Sequence, residues 1–199
     1  MTLGKDSGLI SPPSAYSPEM DERNRELIRH FRNVLSVIRA LARQTMEGER
    51  QEGCDRLAAR IDALARAQSA LLRDIAAGAD LDSLVRDELM TFGIRPEWPV
   101  QVEGPEVRLK ARAAGLVALL IHELALGIVA TPSAKLAVLW REREDGSLKL
   151  IWRDQSSGGC DCGWLTRAFS YELRSSLREE DHGAGRQWVA DLPSANLIR

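Results

Sequence analysis

Of the three histidines in this chain, His30 has the neighbours best suited to phosphate chemistry. Arg29, Arg32 and Asn33 lie within one helical turn of it, with Arg25 and Arg39 nearer the edge. Guanidinium and amide donors of this kind stabilise phosphate charge through charge-assisted hydrogen bonds. The plain alternative is a boundary histidine with no chemistry. His122 precedes Glu123 inside an apolar run, where packing or hydrogen bonding is a simpler use for an imidazole than ligation. Cys160-Asp161-Cys162, with Cys54 or His182 as outside help, is the one grouping that invites a metal. A structural zinc takes about four ligands, usually in pairs with wider spacers, so the segment reads as a glycine-bounded loop with free, reduced thiols and no metal. The charge runs Arg141 to Asp145 and Arg178 to Asp181 read as solvated turns.

These residues need elements to hold them. Residues 1–18, with Ser11-Pro12-Pro13-Ser14 at their centre, form a polar arm that cannot bury enough apolar surface to order itself. From Glu19 the apolar residues Leu27, Phe31, Val34, Leu35, Ile38 and Leu41 recur at helical spacing to about Met46. A polar stretch ending at Gly53 follows, and then Leu57, Ile61, Leu64, Ala65, Leu71, Leu72 and Ile75 repeat the pattern until Gly78. Residues 19–78 are therefore a helical hairpin. Its stripes are too long for one hairpin to bury, which predicts a homodimer joined as a four-helix bundle.

Residues 79–199 mix strands and helices. A short helix over Leu81 to Met90 precedes a strand over Val100 to Val107 and a long apolar helix over Ala111 to Val129. Lys135 to Arg141 and Ser147 to Arg153 read as a hairpin turning at Asp145-Gly146, with a last strand over Gln187 to Leu192. Helices beside a mostly antiparallel sheet make an α+β sandwich.

Composition bounds the function. The 199 residues are 44% hydrophobic and 28% charged, with a net charge of -2 and a pI near 6.0, which argues against a nucleic-acid partner. No apolar run approaches the roughly 18 to 20 residues of a bilayer span, and three cysteines make no disulfide framework. No membrane partner and a cytoplasmic location are expected.

Four stretches, in order, resemble the HWE histidine kinases. Glu26-Leu27-Ile28-Arg29-His30-Phe31-Arg32-Asn33 is similar to the phosphoacceptor helix, and Arg60-Ile61-Asp62-Ala63-Leu64-Ala65-Arg66-Ala67 to its partner in the dimerisation hairpin. Glu103 to Leu109, followed by Leu119-Leu120-Ile121-His122-Glu123-Leu124-Ala125, looks like the strand and nucleotide-site helix of the family's ATPase domain; Trp152 completes the letters of the name. The resemblance covers roughly Glu19 to Leu192. It implies a dimeric phosphotransfer-like hairpin before a GHKL or Bergerat-type ATPase sandwich.

The departures from the family pattern lie at its working positions. The family's His-Arg-x-x-Asn is here Arg29-His30-x-x-Asn33, which moves the imidazole by about 100° around the helix and leaves Arg29 facing outward. In the columns for Thr, the magnesium-binding Asn and a later Lys stand Leu126, Gly127 and Ala130. Magnesium requires oxygen ligands, so Gly127 weakens any grip on it. Asp154 replaces the Glu that follows Trp152, keeping a carboxylate for an adenine amino group, but the turn beside it is altered. The glycine segment that would cradle phosphates reads Gly163-Trp164-Leu165-Thr166-Arg167. The resemblance thus implies a degenerate ATP site, with Glu123, Gly127 and Asp154 vestigial and no cofactor bound.

The expected function is a two-component signalling protein, a histidine phosphotransferase-like chain or pseudokinase that meets a response-regulator receiver domain through His30, Arg29, Arg32 and Asn33. Input is expected from a partner, because the arm is too short to be a sensor. Two alternatives remain open: an active ATP-dependent kinase, with His30 as acceptor and Glu123 as base, and a non-catalytic adaptor that sequesters a receiver or a kinase.

Overall fold

The structure, a computed structural model, describes residues 25, 29, 34, 35, 37, 38, 50–71, 77–95, 98–129, 131, 135–156, 162–183 and 185–198. The described positions from Arg25 to Ile38 are all helical, with Val37 buried and Leu35 57% exposed.

Helix α1, Arg50–Leu71, starts ahead of the glycine expected to delay it. Its buried residues are Arg60, Ala63, Leu64, Ala67 and Leu71. That stripe at helical spacing contains an arginine and leaves out Ala65, which is exposed. The face lies against helix α3 (Ala111–Val129) of the same chain. The apolar surface of this helix, expected to be buried by a second copy, is thus largely covered within the chain. Contact is close: a Cβ on Gly115 would stand 2.9 Å from Leu64 Cδ1.

Two short connections fix the start of the α/β part. Strand β1, Ala79–Asp80, leads into α2, Leu81–Thr91, where the Asp80 carboxylate caps the helix by accepting from Ser83 N at 2.9 Å. Strand β3, Arg108–Leu109, pairs with β1 on one side and with β8, Leu197–Ile198, on the other. This small sheet ties the end of the chain to the segment just after α1. Gly78 permits it with φ +70°, since Leu109 O and Ile198 leave no room there for a Cβ.

The main sheet has the order β2-β4-β5-β7-β6. Its strands are β2 (Val100–Glu103), β4 (Leu136–Glu142), β5 (Leu148–Asp154), β6 (Ser176–His182) and β7 (Gly185–Leu192). β2 runs parallel to β4, and the other pairs are antiparallel. Leu136, Val138 and Trp140 alternate with less buried residues on β4, as do Leu148, Leu150 and Trp152 on β5. One face of the sheet therefore carries the core and the other meets solvent, as period-two alternation requires. The β4–β5 hairpin turns where expected, with Gly146 at φ +73° and Ser147 N donating to Asp145. Helix α4, Gly163–Leu173, packs beside α3.

The α+β reading therefore holds, with several corrections. Arg178 to Asp181 is not a turn but part of edge strand β6, where Arg178 and Arg143 share Asp191. Residues 163–167 are not a phosphate loop; they open α4 and bury Trp164 and Leu165. The strand expected to reach Val107 stops at Glu103; just beyond it Gly104 packs against the Trp140 indole, whose Nε1 donates to Pro105 O. Cys162 is disulfide-bonded, so the free-thiol expectation fails there and holds for exposed Cys54; Cys160 lies outside the described residues. Helix α3 is, by length and composition, apolar enough to span a bilayer, against the expectation from run length. However, 83% of its most apolar window is buried inside the fold, as for a core helix.

Candidate functional site

Helix α3 presents two adjacent polar residues to the helices that cover it: Glu123 is held by Arg60 of α1, and His122 by Glu88 of α2, which Arg66 of α1 also reaches. Glu123 accepts from Arg60 Nε at 2.5 Å and from Arg60 Nη2 at 3.1 Å. Both side chains are almost fully buried, at 7% and 5% exposure. The guanidinium also lies over the Trp164 ring, 5.1 Å from its centroid. A two-point arginine–carboxylate pair with an aromatic face above it is well suited to a dry environment. Glu123 is therefore already committed to a cation of its own chain.

His122 belongs to the neighbouring cluster. Its Nδ1 lies 2.8 Å from Glu88 Oε1, and Arg66 reaches the same carboxylate with contacts of 2.7, 3.0 and 3.1 Å. Burial alone would raise the Glu88 carboxyl, but the hydrogen bonds from His122 and Arg66 outweigh it and hold its pKa below the ordinary carboxylate value. An ionised carboxylate only accepts, so His122 donates from Nδ1. Phe92 packs on the imidazole, with ring centroids 5.1 Å apart. His122 is thus a hydrogen-bonding group in a packed cluster, in line with its sequence reading.

Asp154 stands at the end of β5 and is buried on the core face. Trp152 Nε1 donates to its Oδ2 at 2.7 Å, and Ser156 donates to its Oδ1 through both N, at 2.8 Å, and Oγ, at 2.5 Å. Arg186 Nη2, directly opposite in the β5–β7 register, lies 3.3 Å from both oxygens. A carboxylate has about four lone-pair sites. The contacts to Trp152, Ser156 and Arg186 engage both oxygens. Gly127, buried in α3, brings no oxygen to a cation. Among the described residues, no three His, Cys, Asp or Glu side chains gather where an ion could sit. Asp154 and Glu123 thus both carry partners from their own chain.

The structure does not place the expected phosphoacceptor group. His30, Arg32 and Asn33 lie outside the described residues, as does Ala130. Arg29 is helical and exposed, as its position off the apolar stripe implies. Sequence reasoning missed Arg60, Arg66, Glu88 and Arg186. Two signals were available: Arg60 occupies a stripe position on α1, and Arg186 lies one residue before the point where the last strand was taken to begin.

Comparison with known proteins agrees with this architecture. Residues 26–106 match the family described as HWE histidine kinase. The histidine kinase domain of the Erythrobacter litoralis EL346 blue-light activated histidine kinase is similar in structure, with a TM-score of 0.60 and 19% identity over 90% of this chain and 95% of that one. The longer EL346 blue-light activated histidine kinase gives a TM-score of 0.58 and 16% identity over 91% of this chain and 64% of that chain. Histidine kinase ThkA, solved in complex with response regulator protein TrrA, gives 0.48 and 11% identity over 89% and 61%. No curated protein matches the sequence.

Proposed function

We propose, from the match of residues 26–106 to the HWE histidine kinase family and from a fold like that of a histidine kinase domain, that this chain is a two-component signalling protein that engages a response-regulator receiver domain without using ATP. One observation carries the ATP part of the reading. Both carboxylates that would serve a nucleotide are already occupied, Asp154 by Trp152, Ser156 and Arg186, and Glu123 by Arg60. Arg186 beside the carboxylate expected to read adenine, and Arg60 on the expected general base, each satisfy a charge that would otherwise be buried and unpaired.

In this reading His30 is the working residue, and Arg29, Arg32 and Asn33 are the partner-binding residues beside it. A phosphorylated receiver aspartate gives its phosphoryl group to an imidazole nitrogen of His30. The acyl phosphate P–O bond breaks, a P–N bond forms, and the aspartate leaves as carboxylate. Transfer to a second receiver reverses these bonds. We place the protein in the cytoplasm as a homodimer, supported by the apolar α3 being buried as core and by Leu35 exposed on an otherwise apolar stripe of the first helix.

The test is incubation of the purified chain with a panel of receiver domains phosphorylated by acetyl phosphate. The expected result is an acid-labile phosphate on the chain, absent from the His30→Ala variant. Labelling by radioactive ATP alone would contradict the proposal and favour an active kinase. Receiver binding that survives loss of His30, with no phosphate transferred, would favour a sequestering adaptor.

A further inference from the structure

The solvent-facing side of the main sheet carries a cavity that, among the described residues, shares with the site above only Asp154. Strand pairing sets Gln101, Ala137, Arg153 and Gln187 in one row across that face. One step beyond the paired residues Leu136 and Asp154 come Lys135 and Gln155, and then Gly185 opposite His182. Ala137 and Gly185 bring almost no side chain, so the surface sinks between its neighbours. Gly185 must stay bare, because a Cβ there would overlap the Asp154 carbonyl. The hollow encloses about 530 Å³, with Trp98, Leu136 and Ala137 on its apolar side and Lys135, Arg153 and His182 on its polar side.

The charges in this hollow are not balanced. Arg153 is half-buried, and its Nε donates to the Gln187 amide, which in turn donates to Glu180. Among the described residues neither Arg153 nor Lys135 forms an ion pair, whereas Arg143 and Arg178 on the same face share Asp191. The one lining carboxylate, Asp154, sends its side chain to the opposite face and is held there by Arg186. An arginine fixed by an amide and short of an anion, beside a lysine and an indole, recognises an oxyanion attached to something flat and apolar.

We propose that this hollow binds a small organic anion, with a carboxylate or phosphate head on Arg153 and Lys135 and an apolar or aromatic body against Trp98 and Ala137. Its cationic residues lie on the face of the sheet opposite the Asp154 side chain.

Calorimetric titration of the full chain tests it, with phenyl phosphate and phenylacetate as probes and inorganic phosphate and benzyl alcohol as controls. The expected result is saturable binding of one probe molecule per chain, at least about tenfold tighter than either control. Arg153→Ala and Lys135→Ala should each weaken it by about tenfold or more, since a hydrogen bond to a charged group is worth ~1.5–3 kcal/mol. Lys135 is exposed, so its variant leaves the fold intact. Which of the two probes binds more tightly identifies the head group. Three results would overturn the proposal: no saturable binding of either probe at millimolar concentration, inorganic phosphate bound as tightly as phenyl phosphate, or affinity unchanged in both variants.

Discussion

Replacing Arg60 by alanine should be among the most destabilising single changes in this protein. Glu123 would be left with a buried carboxylate at 7% exposure and without its two-point partner. Breaking a buried pair from one side costs about 3–5 kcal/mol, because the remaining charge cannot be hydrated where it lies. Loss of the guanidinium from the Trp164 face adds ~0.5–2 kcal/mol. Together these come to about 3.5–7 kcal/mol, and at roughly 2–4 °C per kcal/mol for a protein of this size the thermal midpoint should fall by about 7–28 °C. Urea unfolding followed by circular dichroism, with wild type, Arg60→Ala, Glu123→Leu and the double variant Arg60→Met with Glu123→Leu, isolates the pair. The double variant should recover most of the loss, since apolar replacement of both partners is often neutral or better. If Arg60→Ala lay within about 1 kcal/mol of wild type, or the double variant were worse than either single one, the clamp between α1 and α3 would be refuted.

Three further outcomes follow from other contacts. Glu88 titrates below the ordinary carboxylate value in the folded state, so its contribution to stability is present above the unfolded value and fades as pH falls through the folded one; Glu88→Gln should lower stability at neutral pH and flatten the acid limb of a stability–pH curve. Gly104→Ala should cost about 1–3 kcal/mol by overpacking against Trp140, read from the urea midpoint, whereas alanine at open Gly163 should leave that midpoint nearly unchanged. Arg186→Ala removes one donor from Asp154 but leaves Trp152 and Ser156 in place; it should destabilise by roughly 1–3 kcal/mol without creating nucleotide affinity in a fluorescent-analogue titration.

Much of the fold could be read from the chain, wherever one signal dominates locally. Helix α3 was bounded correctly because it is a long, mostly apolar run that ends against Thr131-Pro132-Ser133. The β4–β5 hairpin was marked by Asp145-Gly146. Edge strand β6 was missed because its outward residues are charged and satisfied by Asp191 and Gln187, leaving Leu177 as its one fully buried side chain. The two-residue strands of the small sheet are too short for any periodicity. At the site, Asp154 and Glu123 were identified, but their partners were not. Arg60 meets Glu123 across 63 residues of sequence, and Arg186 meets Asp154 only through strand register, so both contacts come from tertiary folding rather than local pattern.

The most direct test of the account is calorimetric titration of the full chain with magnesium ATP, beside an active kinase of the same family. If Asp154 and Glu123 are taken by Arg186 and Arg60, no saturable heat should appear up to millimolar nucleotide. Micromolar, saturable binding that is lost in Asp154→Ala would contradict the account and make the chain an ATP-dependent kinase.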